Sequence, residues 1–309
     1  MTSSTDNTVH PLASSAFTVS GSSGLYDRAR PSYPPAALTR IFDALHAYYD
    51  TRSGPSGGCG LNIVEVGAGT GIFSRVLLRP PAGVTTHDVT VAKLVAVEPS
   101  SGMRDSFREG MQRIGVPVGS NGPSGVEVAQ VVDGTFDRIP VIDGWADAVV
   151  IAQAFHWSHG HYGAAMREIA RVLRRGAPLI LVWNLEDRSL PAHPWVPHVR
   201  DAYEAHEQGT PQYRLGLWKA IFEMDEFREN FGRDYEYVEV KWTLPTSADG
   251  VVERVMSKSY ITALGETDRA AVERRVRDVL TREEKVWVDE KDGMFEYPYA
   301  TDLYVIWRK

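Results

Sequence analysis

The chain has 309 residues, 43% of them hydrophobic and 24% charged, with a formal net charge of −7 and a single cysteine, Cys59. That length and apolar content suffice for one large α/β core with a smaller cap, and an acidic balance with no long Lys/Arg run argues against a nucleic-acid or anionic-membrane surface. One cysteine excludes an intramolecular disulfide and a multi-cysteine metal site, and no apolar run reaches the ~20 residues of a membrane span.

Residues 1–24 read as a disordered tail. Met1 to Ser20 is rich in Ser and Thr and has no Lys or Arg, so it lacks the marks of a signal peptide or a mitochondrial presequence, and a cytoplasmic location is expected. The proline-punctuated stretch from Tyr26 to Pro35 leads into a helix over Ala36–Tyr49, apolar at Leu38, Ile41, Phe42, Leu45 and Tyr49. Thr51 to Gly60 is a Ser/Gly/Pro connection. Leu61–Val66 reads as a buried strand running into Gly67-Ala-Gly-Thr-Gly71, followed by a helix over Ile72–Leu78. Lys93–Val97 is a second strand that closes on Glu98 and Pro99, and Met103, Phe107 and Met111 mark one face of the next helix.

After a loop over Gly115–Gly125, Val126–Val132 and Ala146–Ala152 read as strands. Tyr162–Arg174 is a helix with Ala165, Ile169, Val172 and Leu173 inward, and Leu179–Trp183 is a fifth strand. This alternation predicts a doubly wound, mainly parallel sheet. Beyond Asn184 the pattern turns helical over Val196–Glu207, Tyr213–Phe231 and Val251–Glu283, broken by an alternating stretch from Tyr235 to Leu244, and Tyr299–Trp307 reads as a late strand. The expectation is a core over 25–186, with its N-terminal helix as a lid, and a helical cap over 187–309 that also returns the last core strands.

Three features carry chemistry. In Val64-Glu-Val-Gly-Ala-Gly-Thr-Gly71, small residues at a strand-to-helix turn let the backbone approach a ligand closely. Dinucleotide-binding enzymes use such a turn too, but their last glycine would fall where Ile72 stands. Glu98, at the end of the next strand, offers a carboxylate to both hydroxyls of a ribose. A lone Glu at a strand end is ordinarily solvated; the glycine turn beside it and the Pro99-Ser-Ser-Gly-Met103 that follows assign it to the ligand. Asp133-Gly-Thr-Phe136 can accept from an adenine amino group, and would be an ordinary turn if it stood alone.

In this order the features resemble the class I methyltransferases that use S-adenosylmethionine (SAM), over roughly Tyr26 to Asn184. Glu65-Val-Gly-Ala-Gly-Thr-Gly71 matches that family's first motif, Val97-Glu-Pro99 its acidic motif, and Gly134 to Pro140 its adenine-side loop. Asp143 to Asp147 leads into the fourth strand as in the family, while Arg175 and Ala177 depart from its Pro-Gly-Gly turn. Within the type 11 methyltransferases, the Tyr26…Arg30-Pro-Ser-Tyr-Pro34 start and the His156-Trp157 pair are similar to the branch holding trans-aconitate methyltransferases and their fungal relatives. The resemblance implies a Rossmann-like seven-stranded sheet, SAM as cofactor and S-adenosylhomocysteine (SAH) as product. It implies cofactor contacts at Tyr26, Arg30, Glu65, Gly67, Ala68, Gly69, Gly71, Glu98, Pro99, Met103, Asp133, Gly134, Thr135, Gln153 and Ala154. Arg30 would pair with the carboxylate of SAM.

Transfer from a sulfonium is an in-line displacement, so the protein chiefly aligns the acceptor and excludes water. The acceptor is expected to be a small molecule. A carboxylate is already ionised and needs no base; a phenol, amine or carbon acceptor would need one, with His156 as candidate and Trp157 as a wall. Trp183, Arg188, Arg214, Lys258 and Tyr260 are the candidate acceptor contacts in the cap. His193 and His198 lack a companion carboxylate pattern and read as loop residues rather than metal ligands. A SAM-assisted cyclase and a non-catalytic SAM-binding regulator are the rival functions.

Overall fold

The computed structural model describes residues 22–52, 60–119, 128–207 and 209–309. Cys59, Met1 to Ser20 and most of the Thr51–Gly60 connection fall outside them, as does part of the Gly115–Gly125 loop. Among the described residues eight strands form one sheet: β1 (Leu61–Val66), β2 (Val91–Val97), β3 (Ala129–Val132), β4 (Ala148–Ala152), β5 (Pro178–Glu186), β6 (Phe231–Thr246), β7 (Trp287–Asp289) and β8 (Met294–Arg308). The main path is β3-β2-β1-β4-β5-β8-β6, with β7 paired to β8 off that path. The first five strands are parallel, and β8 runs antiparallel between β5 and β6. The expected seven-strand path is therefore present, and the unforeseen β7 adds three residues to it.

Ten α-helices are described: α1 (Ser22–Ala29), α2 (Pro35–Arg52), α3 (Ile72–Leu78), α4 (Ser101–Arg113), α5 (Tyr162–Val172), α6 (Trp195–Glu204), α7 (Asp225–Asn230), α8 (Ala248–Met256), α9 (Ser259–Thr262) and α10 (Glu266–Arg282). The apolar face foreseen on α4 is buried at Met103, Phe107 and Met111, and that on α5 at Ala165, Ile169 and Val172. β4 is buried along its whole length, as a central parallel strand covered on both faces must be.

Four expectations need correction. Helix α1 begins inside the segment read as tail. The helix expected over Tyr213–Phe231 is two short 3-10 segments, Tyr213–Leu215 and Leu217–Glu223, followed by α7. Gly216 at φ +69° and an extended Met224 interrupt it. Val251–Glu283 splits into α8, α9 and α10 because Lys258 and Gly265 are extended at the helix starts. The last strand is longer than Tyr299–Trp307, because β8 is hydrogen-bonded along both edges.

Two apolar clusters result. The larger is the sheet with its flanking helices. The smaller joins Trp195, Val199 and Tyr203 of α6 to Val251 and Val255 of α8, Val272 and Val276 of α10, and Phe295, Tyr297 and Tyr299 of β8. The cap is thus anchored on the first half of β8, at the end of the sheet where the parallel strands finish. No described helix is long and apolar enough to cross a membrane.

Candidate functional site

The glycine turn after β1 passes through three left-handed residues, Gly67 (φ +74°), Gly69 (φ +55°) and Gly71 (φ +82°). They differ in what a side chain would meet. A Cβ on Gly67 would come within 2.5 Å of the Ala154 Cβ, and one on Gly71 within 2.6 Å of the Phe107 ring. A Cβ on Gly69 would enter open space. Two glycines therefore permit packing, and the third keeps a cradle empty. That cradle is a cavity lined by Tyr26, Arg30, Glu65, Gly67, Ala68, Gly69 and Gln153, among others.

The remaining predicted cofactor residues, Gly71, Glu98, Pro99, Met103, Asp133, Gly134, Thr135 and Ala154, do not line this cavity. Glu98 is 8% exposed. Its Oε2 accepts from the Gly69 N–H and its Oε1 from the Ser100 N–H, each at 2.9 Å. Burial raises its pKa. The carboxylate thus ties the glycine turn to the start of α4, where Pro99 and the buried Met103 sit. Asp133 is half-exposed and pairs with Arg104 and Arg138, each at 3.2 Å. Gly134 and Thr135 belong to a tight turn closed between Thr135 and Arg138. Glu65 is buried in β1, where Ser74 donates to it, and burial pushes its carboxyl up to about 8.

Helix α1 covers this region. Asp27 Oδ1 accepts from the Thr70 hydroxyl at 2.8 Å and from Arg75 at 2.6 Å, and Oδ2 accepts from Arg113 at 2.7 Å. The Arg30 guanidinium lies over the Tyr26 ring, 4.5 Å from its centroid, and donates to the Ser257 carbonyl at 3.2 Å. Its Nε is buried without a hydrogen-bond partner. Sequence reasoning missed the Asp27 contacts because Thr70, Arg75 and Arg113 are distant in the chain.

Tyr26, Arg30 and Gln153 also line a second cavity, beneath the cap. Gln153 is held at φ +61°, an unfavourable region for a side chain, and its amide donates to the Asn184 carbonyl at 3.1 Å. His156 and Trp157 are on the wall. His156 Nδ1 accepts from Trp183 Nε1 at 3.3 Å, and burial together with the charge of Arg30 pulls its pKa down to about 3.

Of the predicted acceptor contacts, Arg214, Tyr260 and Lys258 line this cavity. Arg214 Nε donates to Glu207 at 2.7 Å, and the Tyr260 hydroxyl donates to the same carboxylate at 3.0 Å. Two predicted contacts lie elsewhere. Trp183 is fully buried behind the wall, stacked on Tyr213 with ring centroids 4.4 Å apart. Arg188 pairs with Asp201 at 2.9 Å and Glu204 at 3.5 Å, outside either cavity. Asp201 on the cap surface is its nearer partner, while Glu204 reaches it from the cavity wall. His193 and His198 face separate carboxylates, Glu296 and Glu283.

The sequence reading missed Arg254 and Glu186. Arg254 lines the second cavity, and the fully buried Glu186 accepts from it at 2.9 Å and from Lys258 at 3.2 Å. A signal was present: Arg254 lies three residues after Val251 on the same helix face, so its position is an apolar one by spacing.

Residues 64–181 match the family model described as a methyltransferase domain. The chain is 28% identical over 258 residues to an uncharacterized methyltransferase of Mycobacterium tuberculosis, covering 83% of each protein. It is 26% identical over 224 residues to an uncharacterized methyltransferase of Schizosaccharomyces pombe, covering 72% of this chain and 69% of that one. A solved structure assigned as a type II methyltransferase from Anaeromyxobacter dehalogenans superposes with a TM-score of 0.51 at 15% identity, covering 90% of this chain and 97% of that one, a likeness of fold. Residues 64–181 are thus a methyltransferase domain, and the chain is similar to methyltransferases over most of its length.

Proposed function

We propose that SAM occupies the cavity beneath the glycine turn and that a small-molecule carboxylate, held in the cavity under the cap, takes its methyl group. The observation that carries this reading is the junction: Tyr26, Arg30 and Gln153 border both cavities, so a group bound in one meets a group bound in the other. The open space at Gly69 fits a ligand pressed against the backbone, and the buried, unpartnered Nε of Arg30 fits an anionic end on the cofactor. Glu98, tied by two backbone N–H groups, retains lone pairs for the ribose hydroxyls.

When bound, SAM supplies an electrophilic methyl on a sulfonium. The chain's own work is to orient the acceptor and exclude water. His156 is a neutral hydrogen-bond acceptor held far below the pH at which a general base works best. That favours an acceptor already ionised over a phenol, amine or carbon. Labelled SAM incubated with a panel of acids, phenols, amines and thiols tests the proposal. Methyl esters formed alongside SAH are expected. SAH binding with no methylated product from any acid would defeat the carboxylate reading; ring closure of a substrate with SAM left intact would favour the cyclase, and SAM bound without any turnover the regulator.

A further inference from the structure

Resting on the reading of the second cavity as the acceptor site, we propose that Arg254 and Lys258 form an anion-recognition pair that selects acceptors carrying a carboxylate. Arg254 comes from α8, and Lys258, one helical turn further on, precedes α9. Both line the cavity under the cap, and neither lines the glycine-turn cavity. Their side chains are 4% and 7% exposed. Behind them stands one carboxylate, Glu186, which also accepts from the Tyr203 hydroxyl at 3.1 Å. Nε and Nη1 of Arg254 are buried with no hydrogen-bond partner, and the Tyr299 hydroxyl interacts with the same guanidinium.

The charge balance decides what these groups are for. Across the same cavity Arg214 faces Glu207 at 2.7 Å and Glu204 at 3.5 Å, so its charge is matched. Arg254 and Lys258 share a single counter-charge, which leaves one buried positive charge and two buried guanidinium nitrogens unmatched. Buried charges without partners are strongly unfavourable, and a planar oxyanion supplies what is missing here. It can take the free nitrogens of Arg254 in a forked arrangement while the Lys258 ammonium acts as a point charge. Arg30 borders both cavities, and its unpartnered Nε is assigned to the cofactor's own carboxylate. Glu186 is a positioning residue: it keeps two like charges side by side, and the Tyr203 ring, 4.0 Å from the Lys258 nitrogen, adds to that support.

The test is calorimetric titration of the SAH-saturated protein with benzoate, succinate and citrate, and with benzamide and succinamide as uncharged counterparts. Wild type is compared with Arg254→Gln, Lys258→Gln and Arg254→Lys. At least one acid should bind wild type, with its Kd raised about tenfold or more in both glutamine variants and partly restored in Arg254→Lys. Amide binding should not change, and SAH affinity should hold within about threefold. Acid affinity unchanged in the glutamine variants, no acid bound by wild type, or an equal loss of SAH affinity would each overturn the pair. Should Arg254→Gln fail to fold, Lys258→Gln and Arg254→Lys carry the comparison. An acid that binds through Arg254 without being methylated supports the anion site while sinking the carboxylate nucleophile, so the two proposals fail separately.

Discussion

Trp183 Nε1 donates to His156 Nδ1, so the neutral imidazole carries its own proton on Nε2 and spends its lone pair on the indole. Replacing His156 with Gln should therefore lower kcat by less than about tenfold, through altered packing, and leave kcat at saturating acceptor flat between about pH 6 and 8. A general base would instead show a loss on the order of 10²–10⁴-fold and a rising limb that vanishes in the variant. Initial rates across that range, with the methylated acceptor, separate the outcomes.

Glu98 joins two elements before any ligand arrives. Glu98→Ala should raise the SAH dissociation constant more than about tenfold, since it removes an ionised acceptor worth ~1.5–3 kcal/mol per bond and frees the Gly69 N–H. Gly69→Val should also abolish SAH binding; its side chain meets no protein atom, so its cost in melting temperature is the backbone strain at φ +55° alone, without a collision. Gly67→Ala should unfold at lower temperature, because its Cβ would collide with Ala154. Calorimetry with SAH and thermal melts distinguish a lost ligand contact from a lost fold.

Glu65 makes stability depend on pH. Burial raises its carboxyl to about 8, so the native state keeps a proton that the unfolded chain releases above about 4.5. Its contribution is fully present below that lower value and is lost as pH rises towards 8. Glu65→Gln keeps an acceptor for Ser74 and cannot ionise. It should raise Tm relative to wild type at pH 8, by an amount corresponding to about 1–3 kcal/mol, and change it little at pH 5. Equal shifts at both pH values would show that the carboxyl is ionised in the native protein.

Lys258 gives the opposite handle on the second cavity. Its ammonium is pulled down to about 7 by burial and by Arg254, against the attraction of Glu186 and with Arg30 adding to the repulsion. The Tyr203 ring and hydroxyl face the same cluster. Carboxylate binding to the SAH-saturated protein should weaken as pH rises from about 6 to 9, because the neutral amine no longer attracts the anion, and the slope should disappear in Lys258→Gln. A slope that persists in the variant would assign the titration to another group.

Asp27 fastens α1 to the glycine turn. Asp27→Asn keeps the side chain's shape but removes the charge facing Arg75 and Arg113. SAH affinity should fall several-fold, and cleavage by trypsin after Arg28 should accelerate, while the melting temperature of the core changes little. Unchanged cleavage would mean that packing on α8, rather than the ion pairs, holds the helix down.

Most of the core was legible because its signals are local. The Leu61–Val66 and Ile72–Leu78 boundaries follow from a buried run, a glycine turn and a helical period lying side by side. The cap was harder because its breaks depend on single backbone conformations, such as Lys258 and Gly265, that no period reveals. Arg188 and Arg214 looked alike as cap arginines, and only tertiary pairing separates a surface cation from a wall residue. Arg254 was hidden by its neighbours: on an apolar face an arginine reads as an interruption, until a buried Glu186 from β5 meets it.

The placement of β8 has a kinetic consequence. It lies between β5 and β6 yet follows both in the chain, so β6 has no partner in the sheet until β8 threads in beside it. Until then the edge of β5 and the whole of β6 present unpaired N–H and C=O groups, the kind of edge that recruits other chains. Pairing of this range is slow to form because the long intervening loop must close first. Any form in which β8 is undocked has an open sheet and an unanchored cap, since Phe295, Tyr297 and Tyr299 bring the cap's apolar floor with them. Docking of this one strand closes the sheet and seats the cap in the same step.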